Sequence, residues 1–203
     1  MEDATWAVVV ARIAHGAKSR LAPALDTAQR RDLALWMLSD VLSVTVRSLD
    51  GVVAVVDHPA ARSRAEAFGA EVVDDLEPGD MNAAVARGVR AATARGAQTV
   101  IVLPGDIPLL SARDIQQLLE AADSWPRAVI VGASRDGDGT NALLLRPPDV
   151  IQPAFGPPSV GRHVRAGMAA NSLTRVLYDL DLALDVDTPA DLASLAQSAG
   201  RAG

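Results

Sequence analysis

The sequence predicts an α/β fold in which a mostly parallel sheet is covered by helices on both faces. Apolar segments of strand length alternate with longer amphipathic segments, and segments such as "GVVAVV" (51–56) and "QTVIVL" (98–103) are apolar throughout. Continuously apolar strands are typical of parallel sheets buried on both sides. At 203 residues the chain is expected to form one domain, 1–203, with a frayed tail from residue 198. We therefore expect a doubly wound, three-layer α/β/α sandwich.

Seven strands and six helices are expected along the chain. The strands are predicted at residues 5–11, 51–56, 70–73, 98–103, 127–133, 141–145 and 173–178. The helices are predicted at residues 27–48, 60–68, 80–95, 111–122, 159–170 and 188–199. The first helix begins at Asp26 or Thr27, and apolar residues recur at helical spacing from Leu33 to Val44.

Composition excludes several classes of function. The net charge of −6 argues against a nucleic-acid partner, because phosphate contacts require clustered Lys and Arg. The absence of cysteine excludes disulfides, thiolate metal sites and a cysteine nucleophile. There is no apolar run of membrane-spanning length, and the acidic start "MEDATW" does not resemble a signal peptide. We expect a cytoplasmic protein with no membrane partner.

The loop after the first strand, "HGAKSRLAP" (15–23), contains Gly16, Lys18 and Arg20. It does not fit the Walker phosphate loop, because Ala11 stands at the first glycine position and Ala17 separates Gly16 from Lys18. Ligands of α/β sheets bind beyond the carboxyl ends of strands, where these two cations could face nucleotide phosphates. A solvated basic turn is the alternative.

Two further loops carry acids that suit a magnesium ion. Asp106 follows an apolar strand in "VLPGDIPLL" (102–110), and Asp185 and Asp187 lie in "LALDVDTPADL" (182–192). Residues two apart in an extended segment point the same way, and paired carboxylates favour a hard cation such as Mg²⁺. The alternatives are a turn role for Asp106 and a helix cap at Asp187 or Thr188.

A fourth polar region combines "SRDGDGTNALLL" (134–145) with "AFGPPSVGRH" (154–163). Thr140 and Asn141 lead into a buried strand, and Ser159 begins a helix whose N-terminal amides could bind an anion. Ordinary turns, with Ser159 as an N-cap, are an equally good interpretation of this pattern.

Together, "AKSRLAP", "GDIPLL", "RDGDGTNALLL", "FGPPSVGRH" and "ALDVDTPADL" resemble, in this order, the CofC/FbiD family of guanylyltransferases. The resemblance covers about residues 6–195. It implies a GT-A-like nucleotidyltransferase fold. It also implies transfer of the guanylyl group of GTP to phosphoenolpyruvate or 2-phospho-L-lactate in coenzyme F420 biosynthesis, with release of diphosphate.

The resemblance also implies roles for individual residues. The acceptor would be held by Thr140, Gly156 and Ser159. Mg²⁺ would be held by Asp106, Asp185 and Asp187. The nucleotide would be held by Gly16, Lys18, Arg20 and Asn82, and the catalytic residues would be Lys18, Arg20 and Asp106.

This chain departs from the family pattern at two positions. The family reads R-D-G-G-T-N, so that Asp138 is an additional acid near the acceptor residues, and Met81 stands where Leu is common. His163 is interpreted as a structural histidine on a helix surface and is left out of the catalytic set.

Several alternatives remain open from the sequence. The acceptor is phosphoenolpyruvate, 2-phospho-L-lactate or 3-phosphoglycerate, and the base is guanine or another base. Rival functions are a molybdenum-cofactor or sugar-phosphate nucleotidyltransferase and a non-catalytic nucleotide-binding module on this fold. A homodimer is considered as the assembled form.

Overall fold

The computed structural model describes residues 4–14, 18–76, 79–178 and 181–199. The strands in these ranges are β1 Thr5–Ala11, β2 Gly51–Val56, β3 Glu71–Asp74, β4 Thr99–Pro104, β5 Ala128–Ala133, β6 Thr140–Arg146 and β7 Leu173–Leu177. The helices are α1 Thr27–Ser48, α2 Pro59–Ala67, α3 Met81–Ala94, α4 Ala112–Ala121, α5 Ser159–Ala169 and α6 Pro189–Ala199. Each predicted boundary is correct to within one residue. Two short 3-10 helices, Ser19–Leu21 and Asp181–Ala183, were not predicted.

The seven strands form one sheet in the order β3-β2-β1-β4-β6-β5-β7. Strands β1, β2, β3 and β4 pair in parallel, as do β5 and β7. Strand β6 runs antiparallel to both of its neighbours, β4 and β5. The start of β6 therefore lies at the same edge of the sheet as the carboxyl ends of the other strands.

The sheet is buried on both faces, as the apolar strands predict. Alternate residues of β1 point to opposite sides, with Ala7 and Val9 in one hydrophobic cluster and Val8 and Val10 in the other. The first cluster also contains buried residues of α1, α2, α4 and α6, and the second those of α3 and α5. The three-layer α/β/α arrangement is thereby confirmed.

Helix α1 begins where the sequence predicts. The Asp26 carboxylate accepts from the Gln29 amide, and the Gln29 side chain accepts from the Asp26 amide, forming a capping box. At the other end of the chain, α6 extends to Ala199, and residues 200–203 of the expected frayed tail lie outside the described residues. Within the described ranges, none of the helices combines the length and apolar character needed to span a membrane.

Candidate active site

One lysine joins the two acidic loops at the carboxyl-end edge of the sheet. Lys18 Nζ lies 2.6 Å from Asp106 Oδ2 and 2.6 Å from Asp187 Oδ1. The three residues come from the loop after β1, the loop after β4 and the segment before α6. The structure therefore brings together three of the residues that the sequence singles out.

These ion pairs are shielded from water on the lysine side, since only 7% of the Lys18 side chain is exposed. Burial alone would lower the pKa of Lys18, but the charges and hydrogen bonds of Asp106 and Asp187 outweigh it and raise that pKa. The Lys18 amine is therefore protonated and positively charged between two carboxylates.

Asp185 is the third acid of this region. Burial raises its pKa, and the nearby negative charges of Asp106 and Asp187 raise it further. In the part of the chain that the structure describes, no three His, Cys, Asp or Glu side chains are arranged to hold a metal ion. Carboxylate oxygens are the kind of ligand that Mg²⁺ takes, and Mg²⁺ is commonly bound through one or two carboxylates, with water and substrate phosphates completing its coordination.

Local packing holds the loop that carries Asp106 against β1. A Cβ added at Gly105 would lie 2.9 Å from Ala11 Cβ and 3.3 Å from Val10 O. Gly105 therefore permits a close approach between the end of β4 and the end of β1.

Hydrogen bonds place the segment that carries Asp185 and Asp187. Asn141 Nδ2 donates to Leu182 O at 3.1 Å and to Ala183 O at 3.0 Å. No site role was predicted for Asn141, although a polar residue at the beginning of a buried strand is a detectable signal.

The end of the same segment is fixed by the start of α6. The Asp191 carboxylate accepts from the Thr188 amide at 2.8 Å, and Thr188 Oγ1 accepts from the Asp191 amide at 3.4 Å. This reciprocal arrangement is a capping box, so Thr188 is the cap and the Asp187 carboxylate is left to pair with Lys18.

A second positioning residue that the sequence analysis missed is Asp57, just after β2. Its carboxylate accepts from the Ile13 amide at 2.7 Å and from the Ala14 amide at 3.2 Å. Asp57 thereby fixes the direction in which the chain leaves β1 toward Lys18. Gly16, by contrast, lies outside the described residues.

A cleft of about 730 Å³ adjoins the carboxylates of Asp185 and Asp187. Its lining includes the exposed Arg20, the acids Asp185 and Asp187, and the predicted acceptor residues Thr140, Gly156 and Ser159. A smaller cavity of about 150 Å³ lies beside it and is lined by Lys18 and Asp106. A larger groove of about 890 Å³, around Trp125 and Arg146, contains none of the predicted site residues. We assign the site by its chemistry rather than by cavity size.

Thr140 and Ser159 form a buried polar group at the cleft. Ser159 Oγ donates to Thr140 Oγ1 at 2.8 Å, and His163 Nδ1 lies 3.1 Å from the same oxygen. The prediction that His163 lies on a helix surface is wrong, because His163 is fully buried. One face of α5 is buried in the core, and the residue type of His163 alone did not indicate that it lies on that face.

The N-terminus of α5 does not match either sequence interpretation. Pro158 is the N-cap, so Ser159 is not, and the amides of Ser159 and Val160 both donate to Asp138 O. The Asp138 carbonyl therefore accepts hydrogen bonds from the first two helix amides, which were expected to be open to an anion.

The loop that carries Gly156 is held by two side chains. Arg162 donates to Ala154 O, Phe155 O, Pro157 O and, through a very short contact, Gly156 O. Asn82 Oδ1 accepts from the Phe155 amide at 2.7 Å, and Asn82 Nδ2 donates to Phe155 O at 3.3 Å. Asn82 thus links this loop to α3, and its contact with a nucleotide stays a prediction.

Gly156 itself has a φ of 97°, a conformation that favours glycine. Among the described residues, none accepts a hydrogen bond from its amide. Because Arg162 binds the Gly156 carbonyl and Gly156 lines the cleft, this amide is a backbone donor available there.

Solved structures with this fold include nucleotidyltransferases. The chain superposes on a nucleotidyl transferase from Methanothermobacter thermautotrophicus with a TM-score of 0.71 and 21% identity, covering 99% of this chain and 100% of that one. A putative nucleotide-diphospho-sugar transferase from Desulfovibrio desulfuricans gives a TM-score of 0.78 at 17% identity, covering 96% and 87%. At these identities the likeness shows the fold alone.

Relatives at higher identity carry one common name. A phosphoenolpyruvate guanylyltransferase of Rubrobacter xylanophilus is 39% identical over 196 residues, which is 96% of this chain and 95% of the relative. The protein of the same name from Conexibacter woesei is 38% identical over 193 residues, covering 94% and 86%. The family model described as "Guanylyl transferase CofC like" matches residues 6–199. The chain therefore belongs to the family of CofC-like guanylyl transferases.

Proposed function

We propose that this chain transfers the guanylyl group of GTP to phosphoenolpyruvate, releasing diphosphate, as a step of coenzyme F420 biosynthesis. The proposal is supported by family membership and by the name that the relatives share. 2-Phospho-L-lactate differs from phosphoenolpyruvate by small groups and is the alternative acceptor.

The observation that carries the proposal is the convergence of opposite charges beside the cleft lined by the predicted acceptor residues. Lys18 lies between Asp106 and Asp187, and the adjoining cleft presents hydrogen-bond donors from Thr140 and Gly156. Joining two phosphate anions requires cations near both and donors that fix the acceptor.

The proposed reaction needs little proton transfer by protein side chains. An acceptor phosphate oxygen is already anionic, so it attacks the α-phosphorus of GTP directly. A new P–O bond forms as the bond from the α-phosphorus to the bridging oxygen breaks, and diphosphate leaves with that electron pair. Lys18 and Arg20 would offset the charge that gathers on the α-phosphate and the leaving group.

We propose that Asp106 and Asp187, with Asp185 beside them, hold Mg²⁺ together with the phosphates. The ion would supply charge neutralisation and alignment of the two reacting phosphates. Lys18 would then leave the carboxylates and turn to the nucleotide phosphates, because it and the ion compete for the same oxygens.

The acceptor would be bound by the Thr140 hydroxyl and the Gly156 amide. Ser159 is almost fully buried and its hydroxyl donates a hydrogen bond to Thr140 Oγ1. We therefore propose that Ser159 acts through Thr140.

The test is diphosphate release from the purified chain with Mg²⁺ and GTP, with phosphoenolpyruvate, 2-phospho-L-lactate, 3-phosphoglycerate or a sugar phosphate added separately. We expect release with phosphoenolpyruvate or 2-phospho-L-lactate, loss of at least about 100-fold in Asp106→Asn, and no loss in the exposed control Asp123→Asn. Diphosphate release only with a sugar phosphate would establish the rival function. If none of the acceptors gave diphosphate release, the proposal would be refuted.

A further inference from the structure

His163 is a buried titratable residue that the proposed chemistry does not use. It lies on α5, and its ring packs edge-on against Phe155 with centroids 5.2 Å apart. Both ring nitrogens have hydrogen-bond partners. Nε2 lies 2.9 Å from the Ala154 amide nitrogen, and Nδ1 lies 3.1 Å from Thr140 Oγ1.

The hydrogen-bond network assigns the tautomer of this ring. A backbone amide can only donate, so Nε2 must be the unprotonated acceptor. In the neutral ring the hydrogen is then on Nδ1, which donates to Thr140 Oγ1. Burial, aided by the charge of Arg162, lowers the pKa of His163 to about 4, so the ring is neutral near pH 7.

This assignment decides what the Thr140 hydroxyl can do. A hydroxyl oxygen has two acceptor positions and one hydrogen to donate. Ser159 Oγ and His163 Nδ1 fill the two acceptor positions. Thr140 lines the cleft, and no other side chain or backbone group in the described ranges is hydrogen-bonded to its hydroxyl. Its hydrogen is therefore available to a ligand in the cleft.

We infer that His163 is a positioning residue that makes Thr140 a dedicated donor to an anionic oxygen of the acceptor. A hydroxyl that cannot accept selects a phosphate or carboxylate oxygen over a group that must donate. The inference rests on the proposed function for the identity of the ligand as a phospho-acid, but the hydrogen-bond arrangement itself does not.

Two replacements separate the donor role from packing. In His163→Phe both hydrogen bonds are lost while the buried volume is largely kept. In His163→Asn the side-chain amide nitrogen takes nearly the place of Nδ1 and still donates to Thr140. We expect His163→Phe to raise KM for phosphoenolpyruvate by about tenfold, with KM for GTP changed by less than about twofold, and His163→Asn to recover most of the loss.

A Thr140→Val background tests whether His163 acts through Thr140. In that background, His163→Phe should raise KM for phosphoenolpyruvate by less than about twofold, because the hydroxyl to be oriented is absent. Equal increases in KM for both substrates, no recovery in His163→Asn, or full additivity with Thr140→Val would each overturn the inference. If His163→Phe does not fold, the comparison of His163→Asn with His163→Gln, which lacks a donor at the Nδ1 position, replaces it.

The ring tautomer can be measured without any turnover. Nitrogen-15 NMR of histidine-labelled protein at pH 7 should show His163 protonated at Nδ1 and unprotonated at Nε2. An Nε2-protonated or doubly protonated ring would overturn the inference even if guanylyl transfer were found. The expected tautomer in a chain that transferred nothing would leave the hydrogen-bond assignment standing and refute the proposed function alone.

Discussion

At the scale of single residues, Lys18 links the two acidic loops. The structure pairs it with Asp106 and Asp187, and the expected contact of the loop cations with nucleotide phosphates stays a prediction. Like-charged carboxylates repel unless a cation lies between them, and here the ammonium group supplies that charge. A divalent ion that binds the same oxygens must displace the lysine.

Replacing Lys18 should therefore strengthen metal binding in the absence of nucleotide. We expect Lys18→Met to bind Mn²⁺ about tenfold more tightly than the unmodified chain, equivalent to about 1.4 kcal/mol. Electron paramagnetic resonance of free Mn²⁺ during a titration measures this directly. Arg20→Met, an exposed cation of the same loop, is the control and should change the affinity much less. Unchanged or weaker binding in Lys18→Met would contradict competition for the carboxylates.

His163 should give the native state a pH-dependent stability. Its pKa is 6.5 when exposed and about 4 in the fold, so between these values the unfolded chain binds a proton that the native chain excludes. The contribution of His163 to the free energy of unfolding is complete above pH 6.5. It is lost as the pH falls toward 4, which lowers the free energy of unfolding by up to about 3 kcal/mol. Urea unfolding of the unmodified chain and of His163→Asn at pH 7.5, 5.5 and 4.5 tests this. The stability advantage of the unmodified chain over the variant should shrink with falling pH, and a constant difference would disprove it.

At the scale of elements, the direction of β6 is the feature that sequence patterns could not provide. Its residues are apolar on both faces, as in a parallel strand, yet it is antiparallel to β4 and β5. A parallel β6 would have placed Thr140 at the edge of the sheet opposite to Asp106. The rule that ligands bind at carboxyl ends did indicate the segment that follows β5 and leads to Thr140, but the acceptor role of Thr140 came from the family resemblance alone.

The loop before α5 should depend on Arg162. Arg162→Gln removes a guanidinium that binds four consecutive carbonyls, from Ala154 to Pro157. We expect a stability loss of about 1–3 kcal/mol. Hydrogen exchange at the Phe155 amide, which donates to Asn82, should also be faster, measured by mass spectrometry of the peptide that contains it. Arg165→Gln, an exposed arginine on the same helix, should leave both unchanged. Equal exchange in the two variants would contradict this role for Arg162.

At the scale of the whole molecule, local sequence patterns predicted the order, type and ends of the elements but not their long-range contacts. The apolar strands and the Asp26 cap are local signals, and both were interpreted correctly. The pairs of Lys18 with Asp106 and Asp187 join residues 88 and 169 positions apart, which only the folded sheet brings together. Asn141, Asp57 and His163 act through buried or partly buried hydrogen bonds, and their residue types alone did not reveal those partners.

We propose that this fold joins a guanylyl group to a phospho-acid acceptor at the cleft beside Lys18, Asp106 and Asp187. The most direct measurement is phosphorus-31 NMR of the purified chain with Mg²⁺, GTP and phosphoenolpyruvate. We predict two mutually coupled resonances from a new diphosphate linkage, appearing together with an equal amount of inorganic diphosphate and absent with Asp106→Asn. Unchanged GTP with both phosphoenolpyruvate and 2-phospho-L-lactate, or hydrolysis to GMP without a coupled product, would contradict the claim.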